Sequence, residues 1–270
     1  MKKAGLVLTS LLLVVGLVTG CGSTPPAATP NAATDMSADV KAIKDRGVLK
    51  VGVKVDVPNF GYKDPKTEKI EGFEIDLANV ISKKIIGTEK IETQAVTAKT
   101  RGPLLDSGEV DLVIATFTVT EERKKSYNFS DAYFVDGVRL MVKKDAGIAS
   151  LKDLDGKKIG VAQSATSKKA IQEQADKVGA KISFLEYATY PEIKTALVSG
   201  RVDCFSVDGS ILSGYLDDST VILADSFSPQ DYGVASKKGN DGLAKLVNTT
   251  IADLKTSGEL DKMIEKWGLK

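Results

Sequence analysis

The sequence predicts an α/β protein of two similar lobes joined by two chain crossings, and three observations carry that reading. Stretches with strand and helix periodicity alternate from residue 49 to the carboxyl end. The segment Leu105-Asp-Ser-Gly-Glu-Val-Asp111 recurs as Leu197-Val-Ser-Gly-Arg-Val-Asp203, identical at five of seven places with an offset of 92. No Pro/Gly/Ser-rich linker lies near 136–157 or 225–232, which argues for a hinged pair over two independent domains. A cleft between hinged lobes suits closure around a small solute.

Leu49, Val51, Val53 and Val55 alternate as one face of a first strand, and Gly72 precedes helix-spaced apolar positions from Phe73 to Ile85. A strand at Ile91 to Val96, a helix opening near Pro103, where proline suits the first turn, and a strand at Leu112 to Ala115 follow. After a strand at Val138 to Val142 the order restarts with strand Lys158 to Ala162, helix Ser167 to Val178 and strand Lys181 to Leu185. Helix Pro191 to Val198 and strand Asp203 to Val207 complete it, with Thr189 and Glu192 spaced as a capping box. Each copy of the repeated segment ends a helix and starts a strand. Four apolar or small residues follow each aspartate, so Thr116 and Asp208 fall at the carboxyl ends of matching strands, where open α/β sheets place ligands. A weaker echo sets Val51-Gly-Val53 against Ile159-Gly-Val161. Tyr232 to Ser236 reads as a further strand, and Gly242 to Leu269 as helical, with Leu243, Leu246, Val247, Ile251 and Leu254 on one face. The expected lobes are 39–138 with 230–270, and 139–229.

The 270 residues carry 37 Lys plus Arg against 36 Asp plus Glu, which leaves no basic footprint, and nucleic acid is not an expected partner. A composition of 42% hydrophobic and 27% charged residues excludes wholesale disorder. The chain has no His and two Cys, which removes His-dependent triads along with the commonest proton shuttle and metal ligand; no cofactor or metal is implied. Lys2 and Lys3 precede an apolar run from Leu6 to Val18, thirteen residues, against the roughly 20 that a membrane-spanning helix needs. It reads as an export signal over residues 1–20. The run ends in Val18-Thr-Gly-Cys21, which resembles the bacterial lipobox and implies a lipid on the Cys21 sulfur and an extracytoplasmic, membrane-anchored location. Residues 21–38, with GSTPPAATPNAAT, have the composition of a flexible tether, and folding is expected to start near Ser37. Cys204 is then the one cysteine of the folded part, and its apolar strand marks it as a small buried residue.

From Asp39 to Lys270 the chain resembles the extracytoplasmic solute-binding proteins of ABC importers, in their polar amino-acid group. The resemblance rests on GVLKVGVKVDVP, EGFEIDLANVI, SGEVDLVIATFTVTEERKKSYNFSDAY, LKDLDGKKIGVAQSAT, SGRVDCFSVDGS, YGVAS and the closing helix from Leu260 to Trp267. It implies a two-lobed α/β fold of the periplasmic-binding-protein type II, with two crossover hinge strands and the ligand in the interlobe cleft. It also implies a monomer that closes over one amino acid and delivers it to an ABC permease.

A free amino acid presents a carboxylate and an ammonium, which require a planar cationic fork and anionic or carbonyl acceptors. Arg123, in Thr118-Val-Thr-Glu-Glu-Arg123, matches the family arginine that clamps the α-carboxylate; Thr116 and Thr118 resemble positions that hold ligand through carbonyl, hydroxyl and amide groups. Asp208 would take the ammonium from the opposite lobe. The loop Ser164-Ala-Thr166 opens a helix whose free N–H groups suit a carboxylate, with Thr166 the backbone candidate. Tyr190, before Pro191, resembles a family tyrosine that hydrogen-bonds the ligand side chain. On pattern alone, Arg123 in EERKK also reads as a solvated helix face, and Thr116, Thr118 and Asp208 as turn or cap residues.

Selectivity rests on charge, because a buried ligand charge without a partner costs several kcal/mol. Lys54 stands where glutamine or cationic amino-acid binders of this family commonly have an acid, and Arg101-Gly-Pro103 resembles the Arg-x-Pro of acidic amino-acid binders. Lys54, Arg101 and Arg123 against Asp208 make L-glutamate or L-aspartate the expected ligand, with glutamine or another polar amino acid the alternative. The loop after Lys54 lacks the family aromatic before Pro58, leaving Phe60 or Tyr62 to cover the ligand. Readings of another class are an enzyme of the cyclohexadienyl dehydratase kind, with Glu71, Glu74 and Glu186 as available carboxyls, and a sensor module docking on a receptor. Neither GxSxG nor HExxH occurs.

Overall fold

Residues 36–269 are described by the computed structural model; the expected export signal, Cys21 and the expected tether as far as residue 35 lie outside the described residues. The chain begins with α1 (Ala38–Arg46), β1 (Leu49–Val53), β2 (Asp56–Val57), β3 (Gly61–Lys63), β4 (Ile70–Glu71), α2 (Phe73–Ile86), β5 (Ile91–Ala95), α3 (Arg101–Ser107), β6 (Leu112–Ile114), α4 (Glu121–Ser126) and β7 (Tyr127–Phe129). It continues with β8 (Phe134–Lys143), β9 (Lys158–Ala162), α5 (Ser167–Val178), β10 (Ser183–Tyr187), α6 (Tyr190–Val198), β11 (Cys204–Asp208), α7 (Gly209–Ser213), β12 (Thr220–Ile222) and β13 (Phe227–Tyr232). β14 (Ala235–Lys237), α8 (Asp241–Thr256) and α9 (Glu259–Lys266) close it. Among the described residues no helix is long and apolar enough to cross a membrane.

Two sheets repeat one plan. The first has the order β5-β1-β6-β14-β7 and the second β10-β9-β11-β8-β12, with β13 also on β8. In each, three parallel strands are followed by an antiparallel one: β14 beside β6, and β8 beside β11. The two-lobed α/β expectation therefore holds.

The repeated segment has a physical reason. Asp111 Oδ2 accepts the N–H of Lys50 at 2.8 Å, and Asp203 Oδ2 accepts that of Lys158 at 2.9 Å, so each aspartate locks its strand to the start of the neighbouring one. The Gly-centred echo packs beneath it: a methyl on Gly160 would stand 2.6 Å from Ile193 Cγ2 and 3.3 Å from Val202, and one on Gly52 would stand 3.1 Å from Val96 and 3.7 Å from Val110. Val110 and Val202 occupy the same place in the two copies. Gly160→Ala is therefore expected to cost about 1–3 kcal/mol by overpacking and to lower the melting temperature by several degrees; a melt matching wild type contradicts this packing.

Several expected boundaries change. The first strand stops at Val53, before Val55, because Lys54 leaves the sheet and Asp56 starts the small β2-β3-β4 sheet. α3 opens at Arg101, two residues before Pro103, and β10 runs from Ser183 rather than Lys181. The strand expected at Tyr232–Ser236 is two strands, β13 on the second sheet and β14 on the first. Between them Gly233 passes so close that a Cβ would stand 2.7 Å from Val119 Cγ2 and 3.1 Å from the Ser130 carbonyl. The chain crosses there and again before Phe134, and the crossings are bonded together, Tyr133 N–H to the Tyr232 carbonyl at 2.8 Å and Ser130 N–H to the Val234 carbonyl at 2.9 Å. The boundaries expected at 138/139 and 229/230 fall inside β8 and β13, the antiparallel pair at this crossing. Cys204 is fully buried in β11, and burial pushes its thiol up.

Candidate functional site

β6 ends at Ile114, and Thr116 takes φ +44°, a left-handed conformation that a β-branched residue adopts only under constraint. Its N–H donates to Glu74 Oε1 at 2.6 Å, and its carbonyl accepts from Arg101 Nη1 at 3.1 Å, the nitrogen that also donates to the Ala115 carbonyl at 2.6 Å. Glu74, in the first turn of α2, and Arg101, at the start of α3, are both buried, and the Tyr133 hydroxyl donates to Glu74 as well. Burial pushes the Glu74 carboxyl up to about 7 against the pull of these donors and of Arg101. Glu74 Oε2, Arg101 Nε and Thr116 Oγ1 are buried without a hydrogen-bond partner among the described residues, an unusual concentration of unpaired polar atoms.

The second sheet presents matching strand ends. Ser164, just past β9, has φ +61°, and Asp208 is the last residue of β11. The Tyr232 hydroxyl, at the end of β13, donates to Asp208 Oδ2. Burial pushes the Asp208 carboxyl up to about 7; the Tyr232 hydrogen bond opposes this and nearby Asp136 adds to it. Tyr133 and Tyr232 thus hold one buried carboxyl each, Glu74 on α2 and Asp208 at the end of β11, from bonded positions at the crossing.

Arg123, in α4, reaches across the gap: Nη1 donates to the Thr118 carbonyl at 2.8 Å and Nη2 to the Ser164 carbonyl at 3.0 Å. Its guanidinium lies 4.8 Å from the Phe117 ring centroid and that of Arg101 lies 4.0 Å from it, so two cations share one ring. Burial, and then the Arg101 charge, push Arg123 down to about 9. A carboxylate brought to the pair would relieve that repulsion. Gln230, buried on β13, accepts from Thr118 Oγ1 at 2.9 Å and from Thr166 Oγ1 at 2.7 Å, tying the two loops to the crossing strand. Thr118, Arg123, Ser164, Thr166 and Gln230 line an open groove of about 650 Å³ between the sheets.

Lys54 is 2% exposed, with Nζ 2.9 Å from Asp56 Oδ1 and 4.6 Å from the Tyr190 ring centroid. Tyr190 is buried at the start of α6 and donates its N–H to Asp56 Oδ2 at 3.3 Å. Burial lowers the Lys54 ammonium, and Asp56 opposes this. Burial raises the Tyr190 hydroxyl, with the charges of Arg101 and Asp208 also acting on it; Lys54, Arg101, Thr116, Tyr190 and Asp208 are all buried, and none of them lines the open groove. The expected charge count changes, however: Lys54 is paired with Asp56 and Glu74 acts on Arg101, so three cations meet three acids rather than one. The aromatic cover also changes. Tyr62 is exposed, and Phe60 is fully buried among Phe73, Phe134 and Tyr232, with ring centroids at 6.2, 5.1 and 5.9 Å, where it packs the crossing.

Arginines on α3 and α4 and an acid at the end of β11 are the chemical groups that a zwitterion, a small solute with opposite charges at one end, would require. The chain matches the model of bacterial extracellular solute-binding proteins, family 3, over residues 49–270. It belongs to that family. It is 40% identical over 273 residues to the ABC transporter glutamine-binding protein GlnH of Bacillus subtilis, spanning 99% of this chain and 97% of the relative. It is 44% identical over 215 residues to the glutamine-binding protein of Geobacillus stearothermophilus, spanning 78% and 80%. A glutamate/aspartate import solute-binding protein of Salmonella typhimurium is 30% identical over 272 residues, spanning 96% and 87%. Of solved structures, an ancestral arginine-binding protein bound to glutamine is similar with a TM-score of 0.73 and 38% identity, covering 82% of this chain and 98% of that one. The ancestral amino acid-binding protein AncCDT-1, a precursor of cyclohexadienyl dehydratase, gives 0.75 and 32%, covering 84% and 98%.

Around this solute-binding protein's candidate site, Asp56, Gln230 and Tyr232 have no ligand role expected from sequence, and Glu74 is expected only as an available carboxyl of the enzyme reading. Asp56 had a signal, since two residues after Lys54 it repeats the strand period. Glu74 had none, because an acid in the first turn of a helix is ordinary.

Proposed function

We propose that this solute-binding protein is the lipid-anchored, extracytoplasmic component of an ABC importer, and that its lobes close over one free amino acid with an uncharged polar side chain, glutamine first. In this reading Asp208 takes the ammonium, Arg101 and Arg123 take the α-carboxylate, Thr116, Thr118, Ser164 and Thr166 hold ligand through hydroxyl and backbone groups, and Tyr190 with Lys54 and Asp56 surrounds the side chain. The observation that carries glutamine is the buried Lys54–Asp56 pair at 2.9 Å, which leaves the side-chain end neutral, and the two glutamine-binding relatives support it. Native mass spectrometry after incubation with an equimolar mixture of the protein amino acids tests it: one glutamine per chain is expected, and retention of arginine or of nothing contradicts it. Lipid attachment is tested by the mass of the amino-terminal peptide of membrane-extracted protein, which must carry a diacylglyceryl group on Cys21.

Glutamate or aspartate is the second reading. Its support is that Glu74 and Asp208 are both pushed up to about 7, so that with either one protonated Lys54, Arg101 and Arg123 outnumber the acids. An enzyme of the dehydratase kind has less behind it: Glu71 and Glu186 are exposed, Glu186 is 2.6 Å from Lys168, and Glu74 is occupied with Thr116 and Tyr133.

The ammonium assignment has a pH signature. A bound ammonium favours the ionised form of Asp208, lowering a carboxyl that stands at about 7 without it, so binding below neutrality must release a proton. Affinity is expected to rise with pH and to be about tenfold weaker at pH 6 than at pH 8. Equal affinities at the two pH values contradict the assignment.

A further inference from the structure

We infer that Asp56 decides which side-chain charge the site accepts, by engaging Lys54 in a buried ion pair that also ties the loop after β1 to α6. The inference rests on the amino-acid-binding reading above and adds a residue to it. Lys54 Nζ stands 2.9 Å from Asp56 Oδ1, with side chains only 2% and 12% exposed, a buried contact that engages one of the three donors an ammonium carries. The other Asp56 oxygen takes the Tyr190 N–H at 3.3 Å, and its carbonyl accepts from the Tyr215 hydroxyl, so Asp56 joins the loop after β1 to α6 and to the segment after α7. Lys54 and Asp56 therefore come together against the Tyr190 ring at the start of α6.

The charge logic follows from that placement. Beside Asp56, a ligand carboxylate must share Lys54 with it and face its repulsion, whereas a carboxamide meets a neutral pair and can accept from the remaining ammonium donors. Removing the Asp56 charge leaves a buried ammonium that a ligand carboxylate would satisfy. The site is thus tuned by one acid rather than by the cations alone.

The test is isothermal titration of wild type, Asp56→Asn and the Lys54→Gln/Asp56→Asn double variant with L-glutamine and L-glutamate at one pH and ionic strength. Asparagine keeps an oxygen for the Tyr190 N–H. In Asp56→Asn the ratio of glutamate to glutamine affinity is expected to rise at least tenfold over wild type, and in the double variant to return to within about threefold of it. A ratio unchanged in Asp56→Asn overturns the inference. Should that variant fail to fold by circular dichroism, Lys54→Gln alone decides, since the unpaired Asp56 must then lower the ratio at least tenfold, and an unchanged ratio again overturns it. The wild-type titration is read separately: a preference for glutamate there defeats the glutamine reading, while the direction of change between variants still judges Asp56.

Discussion

Asp208→Asn is expected to weaken amino-acid binding at least a hundredfold, the consequence of about 3 kcal/mol or more when one member of a buried charge pair is lost. The variant removes the acid at the end of β11 and keeps an oxygen for the Tyr232 hydroxyl. Stability should move the other way. Burial raises the folded-state carboxyl from 3.8 to about 7, so the folded chain holds this proton more tightly than the unfolded one. The stability that comes from that proton is present in full at low pH and is lost as pH rises toward 7. At pH 8 the ionised, buried Asp208 is a burden on the ligand-free protein, and Asp208→Asn should melt at the same temperature or higher while failing to bind. Titration calorimetry and a thermal melt on the same sample check both halves. Binding within threefold of wild type would remove Asp208 from the site, and a large loss of melting temperature would make it a structural residue instead.

Arg123→Lys is expected to lower affinity about a hundredfold although it preserves the charge. Arg123 spends one guanidinium nitrogen on the Thr118 carbonyl and another on the Ser164 carbonyl, and a planar fork with five donors can do this and still offer N–H groups to a carboxylate. A lysine ammonium is a point donor that cannot span both loops and a ligand. Arg123 is half-buried on the short α4, so the ligand-free melt should shift by only a degree or two. Affinity within threefold of wild type would show that Arg101 alone serves the carboxylate.

The repeated segment was legible in sequence because its job is local to each lobe: an aspartate that bonds the neighbouring strand leaves the same seven residues twice, and it places Thr116 and Asp208 at equivalent ends. The charge balance was not, because it depends on pairings that sequence distance hides. Glu74 meets Thr116 and Tyr133 from 42 and 59 residues away, and nothing around it distinguishes a buried acid from a helix-start acid. Lys54 counts in sequence as a cation available to the ligand, yet the strand stops before it and the chain turns Asp56 back onto it. The break at Gly233 was hidden for a related reason: Tyr232 to Ser236 is continuous in strand propensity, and only the close approach of Val119 and Ser130 shows that the chain changes sheets there.

The proposed site reads both charged ends of a free amino acid, an ammonium at Asp208 and a carboxylate at Arg101 and Arg123. Its most direct test is titration calorimetry on protein unfolded and refolded to remove retained ligand, at pH 8, with L-glutamine, N-acetyl-L-glutamine and the L-glutamine methyl ester. One-to-one binding of free glutamine, lost by a hundredfold or more when either end is blocked, is the predicted result. Equal binding of either blocked form, or no binding of the free amino acid, would contradict it.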